Sequence, residues 1–538
     1  MMHPRHLSFG TAGLRAPVGP AHGQMNVAQV TRASAGLAAW LARNAATRSP
    51  SRSRVPVEDI SDEDPRGFGL SIYGENGPLR VAVGYDARYG SHTFAATAAE
   101  VFAGAGFEVT LLPTPTPTPV LPWLVRYRGL DAGVQITASH NPAADNGYKV
   151  YGPDGSEIDV SAEKDVEAAI RELEDPLTVP RVAVRPAGNQ LRRYLDQVVA
   201  EINPDENDRL RVNNERAALK IVYTALHGVG GRPLAQALGA AGFARATPVI
   251  AQQYPDPTFP TVSFPDPEQP DAVELLLRQA ADTGSDLLIA LDPDADRCAV
   301  GFRRTDGTHR MLRGDELGPL LATRLLEPHD GDGPAPVVAT SLVSSTLLPD
   351  IAGELGWDCV ITPTGFKNLM RAGDNRPGPL MFAYEEAHGT CPMPHLVADK
   401  DGLATALHAC AWAAELKARG RTLGDELARL HRRFGAYAGT QIHVRTSDPE
   451  GLVAQLRTDP PSTLAGIDVD CTDLPAEQGI LIGGRHRDGT CVRMIGRVSG
   501  TETKTKVYLE VSHFPEPRGA EDLLERLRAE VEEFLHGI

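Results

Sequence analysis

The stretch VAVGYDARYGSHTFAATAAEVFAGAGFEVTLL, Val81–Leu112, contains the pattern that decides the fold. An apolar run with strand character, VAVGYDAR, precedes the alanine-rich HTFAATAAEVFAGAG, and a second apolar run, FEVTLL, follows it. An alternation of strand, helix and strand indicates a parallel sheet that is covered by helices. This stretch therefore predicts an α/β domain.

The same alternation returns twice further along the chain. In the second round LKIVYTAL precedes PLAQALGAAG, and the third runs from PVVATSLVSS through LLPDIAGELG to WDCVITPTGF. The end of the chain differs, because QIHVRTSD, VRMIGRVSG and KVYLEVS have strand character and AEDLLERLRAEVEEFLHGI has the pattern of an amphipathic helix. We therefore predict an α/β protein with three similar mixed α/β domains in series and a smaller C-terminal α+β domain. The predicted domains are 1–210, 211–307, 308–432 and 433–538.

Composition restricts the class of protein. A hydrophobic content of 42% and a charged content of 23% are typical of a soluble globular chain. The net charge of −17 argues against a nucleic-acid partner, since nucleic-acid binders are more often basic, yet local basic residues can still bind a small anion. The six cysteines lack C-x-x-C spacing, which favours reduced thiols over a disulfide framework or a zinc site.

Targeting and membrane signals are the next feature. The first residues, MMHPRHLSFGTAGLR, lack the apolar core of a signal peptide, and no run of about 18 apolar residues occurs. We expect a cytoplasmic protein that has no membrane partner. The polar segment Ala45–Gly77 is rich in Ser, Arg, Pro and Asp and is predicted to be an excursion from the first domain. For the proline-rich Leu111–Pro122 we expect extended backbone.

A cluster of carboxylates follows the strand-like run DLLIA. In LDPDADR, Leu291–Arg297, three aspartates alternate, so in an extended loop they can turn toward one point. Three close carboxylates repel one another unless a cation neutralises them, and all-oxygen ligands suit Mg²⁺, Mn²⁺ or Ca²⁺. An EF-hand fails, because its sixth position needs glycine and is Arg297, and its twelfth needs glutamate and is Arg303. We predict a metal loop, and an acidic solvated turn is the alternative.

A serine occupies the equivalent place in the first domain. In ITASHNPAADNGYKVYG, Ile136–Gly152, Ser139 follows an apolar run, and ligands bind at the carboxyl ends of strands in open α/β sheets. No G-x-S-x-G elbow surrounds Ser139, which argues against acyl transfer. A phosphoryl group on Ser139 and a divalent cation on the aspartate loop would make electrostatic sense together. The alternative is that Ser139 or Asn141 caps a turn before Pro142.

Other loops carry phosphate-binding or sugar-binding chemistry. FGTAGLR, Phe9–Arg15, and RVSGTETK, Arg497–Lys504, combine glycine with arginine, and the second has the composition of a phosphate cradle. Neither is a Walker A loop, because the GK[ST] ending is missing. PTGFKN, Pro363–Asn368, and YEEAHG, Tyr384–Gly389, complete the third unit, where paired glutamates could accept hydrogen bonds from sugar hydroxyls. Taken singly, each of these loops could also be an ordinary turn or a solvent-exposed segment without a binding role.

Seven motifs in this order resemble the α-D-phosphohexomutase superfamily along nearly the whole chain. They are FGTAGLR, TASHNP, DPDADR, PTGFK, EEAHG, KDG and RVSGTETK. The residues of three motifs are most similar to those of the branch that contains phosphoglucomutase-2-type and phosphopentomutase enzymes. These motifs are TASHNPAADNGYKVY, YTALHGVGG and DPDADR. The resemblance implies four domains, the first three alike, around a central cleft.

The resemblance also implies a mechanism and a set of residues. Ser139 would be a phosphoserine that exchanges its phosphoryl group with a sugar monophosphate, with glucose 1,6-bisphosphate as intermediate and activator. Mg²⁺ would be held by Ser139, Asp292, Asp294 and Asp296. The implied catalytic residues are Ser139, Arg15, His140, Lys149 and Lys400. The implied substrate-binding residues are Thr11, Arg297, Thr364, Glu385, Glu386, Arg497, Ser499, Gly500 and Thr501.

One departure from the family pattern bears on the substrate. Glucose- and mannose-type members have Glu-x-Ser in the sugar loop, whereas the third position here is Ala387. We expect interconversion of glucose 1-phosphate and glucose 6-phosphate, with pentose or mannose phosphates as the alternatives. A Mg²⁺-dependent sugar phosphatase and a silent sugar-phosphate-binding protein are the hypotheses of other classes. We expect a monomer or a weak homo-oligomer.

Overall fold

The structure, a computed structural model, describes residues 7–10, 13–47, 77–173, 175–446, 448–498 and 504–537. The chain divides into two compact units. One unit comprises Met1–Val300 and Met393–Ala411, and the other comprises Gly301–Pro392 and Trp412–Ile538. Of the predicted excursion Ala45–Gly77, residues 48–76 lie outside the described residues.

The first sheet carries the serine motif at the end of a central strand. Its strands are ordered β1-β5-β4-β2-β3, with β2 parallel to β3 and β4, and β5 antiparallel to β4 and β1. The inner strands β2 and β4 are buried almost throughout, because helices cover both faces of the parallel part. The elements are β1 (Leu14–Pro17), α1 (Val27–Thr47), β2 (Arg80–Tyr85), α2 (Ser91–Gly104), β3 (Glu108–Leu111), α3 (Val120–Arg128), β4 (Ala132–Ile136), β5 (Asp145–Tyr151) and α4 (Val160–Glu172).

The second sheet carries the aspartate motif at the end of its middle strand. Its order is β10-β9-β8-β6-β7, and β6 is parallel to β7 and β8. All five residues of β8 are buried, and the aspartates follow it directly. The elements are α5 (Gln190–Glu201), α6 (Arg209–Ala218), β6 (Ile221–Thr224), α7 (Gly231–Ala240), β7 (Ala246–Pro248), α8 (Glu274–Thr283), β8 (Leu287–Leu291), β9 (Cys298–Arg303) and β10 (His309–Met311).

The third sheet repeats the plan with four strands. Its order is β12-β11-β13-β14, with β11 parallel to β12 and β13, and β14 antiparallel to β13. The glutamate motif YEEAHG forms the connection between the last two strands. The elements are α9 (Gly314–Leu325), β11 (Val337–Ser341), α10 (Leu347–Leu355), β12 (Asp358–Thr362), α11 (Phe366–Met370), β13 (Leu380–Glu385), β14 (Gly389–Cys391), α12 (Gly402–Ala418) and α13 (Leu423–Phe434).

The fourth sheet is antiparallel throughout and has the order β15-β21-β20-β19-β18. One face packs against α15, whose leucines enter the same core as the inward side chains of the strands. Three short 3₁₀ helices, Pro176–Thr178, Ile250–Gln252 and Pro475–Glu477, complete the described elements. The elements are β15 (Ala436–Arg445), α14 (Pro449–Thr458), β16 (Thr463–Leu464), β17 (Ile467–Asp468), β18 (Asp470–Leu474), β19 (Gly479–Arg485), β20 (Cys491–Val498), β21 (Lys504–Phe514) and α15 (Pro517–Gly537).

Three α/β domains and a C-terminal α+β domain confirm the predicted fold class, while the four domain boundaries stay predictions. The proline-rich segment departs from the expectation of extended backbone, because α3 begins at Val120 and includes Pro122. Proline fits the first helical turn, where its missing N–H leaves no bond unmade. The strand in LKIVYTAL ends at Thr224, because Leu226 and His227 have φ of 45° and 60°. No helix among the described residues is long and apolar enough to cross a membrane.

Candidate active site

Ser139 lies just beyond β4, in a tight turn that the structure holds in an unusual backbone conformation. Its φ is 52°, in the left-handed region that serine rarely adopts. The Ser139 N–H donates to Thr137 Oγ1 at 2.8 Å, and Asn141 N–H closes the turn on the carbonyl of Ala138 at 3.0 Å. The turn buries the Ser139 side chain and directs its hydroxyl toward the aspartate loop.

The predicted meeting of the serine loop and the aspartate loop is present in the first unit. Ser139 Oγ donates to Asp292 Oδ2 at 3.0 Å, across 153 positions of sequence. One carboxylate oxygen from each of Asp292, Asp294 and Asp296 lies within 4.8 Å of the others. All three side chains are fully buried, so this loop is not the solvated acidic turn of the alternative interpretation.

Burial and mutual repulsion affect the carboxylates unequally. Burial, together with the charges of Asp294 and Asp296, raises the pKa of Asp292 well above its usual range. Burial also opposes ionisation of Asp296, but Lys149, Lys400 and Arg297 outweigh it and hold the pKa of Asp296 below its usual range. The triplet thus contains one carboxylate that resists ionisation unless more positive charge is supplied.

The donor set fits a hard divalent cation. Oδ1 of Asp294 and Oδ1 of Asp296 are buried and accept no hydrogen bond among the described residues. Leaving such oxygens unpaired is costly, whereas a cation would satisfy both at once. The three carboxylates and the nearby Ser139 hydroxyl offer oxygen ligands, which suit Mg²⁺, Mn²⁺ or Ca²⁺ rather than a soft metal.

Two buried lysines border the triplet. Lys149 on β5 extends Nζ to Asp296 Oδ2 at 2.8 Å and to Asp294 Oδ2 at 3.5 Å. Lys400 Nζ lies 3.5 Å from Asp296 Oδ2. Burial disfavours the charged amine of Lys149, yet Asp296 and Asp294 more than compensate and raise its pKa above the usual range. The Lys149 amine is therefore held as a cation beside the oxygens of the triplet.

The other predicted residues of the first unit surround Ser139. His140 Nδ1 lies 3.2 Å from Ser139 Oγ. Arg15 on β1 donates from Nη1 to Asn141 Oδ1 at 3.1 Å, which places its guanidinium beside the serine loop. The Arg297 N–H donates to Asp292 Oδ1 at 3.1 Å, and its side chain reaches within 3.9 Å of Asp296 Oδ1. The structure thus brings together all nine predicted site residues that it describes in this unit.

The second unit contains the residues that were predicted to bind the sugar and the distant phosphate. Thr364 follows β12 and donates from its N–H and its hydroxyl to the carboxylate of Glu477 at 2.6 and 2.8 Å. Arg497, at the end of β20, extends Nε to within 3.8 Å of the same carboxylate. These two predicted residues therefore converge on Glu477, a residue that the sequence did not indicate.

The paired glutamates of YEEAHG differ in position. Glu385 is the last residue of β13, and Glu386 begins the connection to β14. Ser341 Oγ and Ser344 Oγ donate to Glu386 Oε2 at 3.2 and 3.4 Å, so this carboxylate already has two hydroxyl partners. Four further predicted residues lie outside the described residues: Thr11, Ser499, Gly500 and Thr501.

Arg88 is a structural support of the serine loop that the sequence analysis missed. Its guanidinium donates to four carbonyls of the loop, those of Ser139, Asn141, Pro142 and Asp145. Because Asp86 and Arg88 follow β2, next to β4 in the sheet, their place at a strand end was the available signal. Arg88 therefore stabilises the left-handed turn at Ser139.

Thr118 is a second missed residue, and it lies in the proline-rich segment. Its hydroxyl donates to Asp294 Oδ2 at 2.7 Å, and its N–H donates to the Asp294 carbonyl at 2.9 Å. Thr118 is fully buried. Because 176 positions of sequence separate these partners, no local pattern could have indicated the contact. Thr118 fixes the orientation of one carboxylate of the predicted metal site.

Family comparisons identify the class of protein. Three consecutive family descriptions match the chain: "Phosphoglucomutase/phosphomannomutase, alpha/beta/alpha domain I" at residues 65–176, domain II at residues 192–305 and domain III at residues 313–434. The chain therefore belongs to the phosphoglucomutase/phosphomannomutase family. Its members are isomerases, and this chain is an intramolecular phosphotransferase of that type.

Named relatives cover most of the chain but differ in substrate. A Haemophilus influenzae protein named "Probable phosphomannomutase" is 36% identical over 85% of this chain and 93% of its own length. A Staphylococcus haemolyticus phosphoglucomutase is 30% identical over 94% of this chain and 90% of its own. The human phosphopentomutase is 32% identical over 83% of this chain and 71% of its own.

A solved structure supports the fold. The phosphoglucomutase parafusin from Paramecium, in its open form, aligns with a TM-score of 0.70 over 98% of this chain and 94% of its own. The sequence identity is 18%, so this similarity concerns the fold alone.

Replacing Thr118 by Val should weaken divalent-cation binding. The change keeps the side-chain volume but removes the hydroxyl that orients Asp294, and loss of such an outer partner typically costs about 10–100-fold in metal affinity. Calorimetric titration of the full chain with Mn²⁺ measures the affinity directly. Thr116→Val is the matched control, because the Thr116 hydroxyl donates to the Thr114 carbonyl of the same segment and to no other group in the described part of the chain. Equal Mn²⁺ affinities in the two variants would contradict the assignment.

Proposed function

We propose that this chain interconverts glucose 1-phosphate and glucose 6-phosphate through a phosphoserine at Ser139, with glucose 1,6-bisphosphate as the intermediate. Membership of the family supplies the reaction class, and the substrate and the residue roles are the proposal. The observation that carries it is the position of Ser139 Oγ, 3.0 Å from Asp292 Oδ2 and beside a fully buried acidic triplet.

The transfer exchanges one phosphorus–oxygen bond for another. A sugar hydroxyl oxygen attacks the phosphorus of phosphorylated Ser139, and the bond between phosphorus and Oγ breaks. The proton that the sugar hydroxyl loses is gained by Ser139 Oγ. The bisphosphorylated sugar then returns its other phosphoryl group to Ser139 Oγ, which leaves the isomeric monophosphate. His140 Nδ1, 3.2 Å from Oγ, is placed to share a proton with that oxygen.

Charge neutralisation is the main requirement of phosphoryl transfer. Ser139 and the three aspartates would hold Mg²⁺, which when bound would supply positive charge against the transferred phosphoryl group. Lys149 and Lys400 are buried cations at the same oxygens and would stabilise the charge that spreads over the transferred group. Arg15, next to the serine loop, would contribute in the same way.

Residues of the second unit would hold the rest of the substrate. We assign the sugar to Thr364, Glu385 and Glu386, and the non-reacting phosphate to Arg497, in line with the family motifs that these residues occupy. The motif residues Ser499, Gly500 and Thr501 belong to the same proposed anchor. A guanidinium suits this task because its planar donors match phosphate oxygens.

The alternative substrates and the alternative classes of protein are supported to different degrees by the comparisons. Relatives include a phosphomannomutase and a phosphopentomutase, so mannose and pentose phosphates remain alternative substrates. Ala387 lacks the hydroxyl that glucose- and mannose-type members have at this position. No comparison supports the phosphatase hypothesis, and membership of a mutase family argues against a silent binding protein.

Ser139→Ala should abolish mutase activity, because it removes the hydroxyl that is proposed to carry the phosphoryl group between its two positions on the sugar. We expect a loss of about a thousandfold or more in kcat, together with loss of covalent phosphate. Ser156→Ala is the matched control, since Ser156 is another buried serine of the same domain, hydrogen-bonded to Asp154. Full activity of Ser139→Ala, or phosphate mapped only to another residue of active protein, would refute the mechanism.

The substrate assignment is tested by kcat/KM for glucose, mannose, ribose and glucosamine monophosphates. We expect glucose 1-phosphate to rank first in the unmodified chain. Ala387→Ser should then raise kcat/KM for glucose 1-phosphate by about tenfold relative to ribose 1-phosphate, because it restores one sugar hydrogen bond. A ribose preference in the unmodified chain would contradict the glucose assignment and leave the reaction class intact.

A further inference from the structure

Glu477 is a buried carboxylate in the middle of the proposed sugar and phosphate contacts. It ends the 3₁₀ helix Pro475–Glu477, and its side chain is 4% exposed. The Thr364 N–H donates to Oε1 at 2.6 Å, and the Thr364 hydroxyl donates to Oε2 at 2.8 Å. Both polar donors that Thr364 could offer to a ligand are therefore taken by an anion of the chain itself.

The Arg497 guanidinium lies next to Glu477, but within the described part of the chain not all of its N–H groups are hydrogen-bonded. Arg497 Nε lies 3.8 Å from Glu477 Oε2 and makes no hydrogen bond among the described residues. At the other end of the guanidinium, Nη2 donates to Tyr508 Oη at 3.3 Å and Nη1 donates to the Val498 carbonyl at 3.4 Å. Glu477, and more weakly Glu386, thus provide the negative charge that this buried arginine needs. The Glu477 carboxylate does so at a distance longer than a hydrogen bond.

We propose that Glu477 determines the affinity and selectivity of this region for anions, as a resident carboxylate that a substrate phosphate displaces. The inference rests on the proposed function, which assigns Thr364 and Arg497 to the substrate. The exchange is noncovalent and replaces one anion by another, so Arg497 is never left buried without a negative partner. A neutral sugar cannot make that exchange, because it would leave the buried arginine with only the weaker charge of Glu386.

The same chain contains a nearly identical arrangement that can act as a control. Glu510 on β21 accepts from the Thr346 N–H at 3.0 Å and from the Thr346 hydroxyl at 3.1 Å. Arg493 Nη2 lies 3.0 Å from Glu510 Oε2. This group also joins the third and fourth sheets, but neither Thr346 nor Arg493 is a proposed substrate contact. Neutralising Glu510 therefore reproduces any loosening of that junction without removing the proposed competitor.

The test compares Glu477→Gln with Glu510→Gln in the full chain. Glutamine keeps an oxygen that can accept from Thr364, so the fold should persist, and only the charge is removed. Calorimetric titration with inorganic phosphate measures anion affinity and requires no turnover. We expect the Kd for phosphate to fall about tenfold in Glu477→Gln and to change less than about twofold in Glu510→Gln.

The double variant Glu477→Gln/Arg497→Ala shows where the phosphate binds. The gain in affinity should disappear in it, because the cation that Glu477 neutralises is gone. Unchanged or weaker phosphate binding in Glu477→Gln, an equal gain in Glu510→Gln, or a gain that survives the loss of Arg497 would each overturn the inference. Failure of the proposed function is a separate result, namely no conversion of any sugar phosphate by the unmodified chain.

Discussion

Three carboxylates, buried within 4.8 Å of one another, are the constraint on which the rest of the first unit's site depends. Like charges at this distance in a dry environment are strongly unfavourable. Lys149 on β5 and Lys400 in the KDG motif approach Asp296. Oδ1 of Asp294 and Oδ1 of Asp296 still accept no hydrogen bond among the described residues. The lysines compensate part of the charge, and a divalent cation would compensate the remainder.

The position of the Ser139 hydroxyl beside the aspartate triplet is also fixed by hydrogen bonds and an ion pair. Ser139 has a left-handed backbone, a conformation that costs energy for a residue with a side chain. Four hydrogen bonds from the Arg88 guanidinium to carbonyls of the serine loop offset this energetic cost. The Asp86 carboxylate in turn lies 3.3 Å from Arg88 Nε. Thr118, in the first domain, donates hydrogen bonds to both the carbonyl and the carboxylate of Asp294 in the second domain. Two loops from different sheets are thereby held in fixed register, as positioning for phosphoryl transfer requires.

Much of the fold could be predicted from the sequence, because the buried strands of the parallel sheets are continuous apolar runs bounded by polar residues. Their carboxyl ends then indicated Ser139 and the aspartates as site residues. The strands Asp470–Leu474 and Gly479–Arg485 were not predicted, since the first is polar and the second contains three glycines. Contacts such as those of Thr118 and Glu477 could not be predicted either, because their partners lie 176 and 113 positions away. Tertiary structure alone brings these residues together.

The central claim is that a phosphoryl group on Ser139 and the aspartate triplet share one divalent cation. It is tested most directly by electron–nuclear double resonance on the phosphorylated chain loaded with Mn²⁺. The account predicts a hyperfine coupling between the bound Mn²⁺ and the ³¹P nucleus of phosphoserine 139, because the ion and the phosphoryl oxygen would be in direct contact. Bound Mn²⁺ without any ³¹P coupling, in protein whose phosphate maps to Ser139, would contradict it.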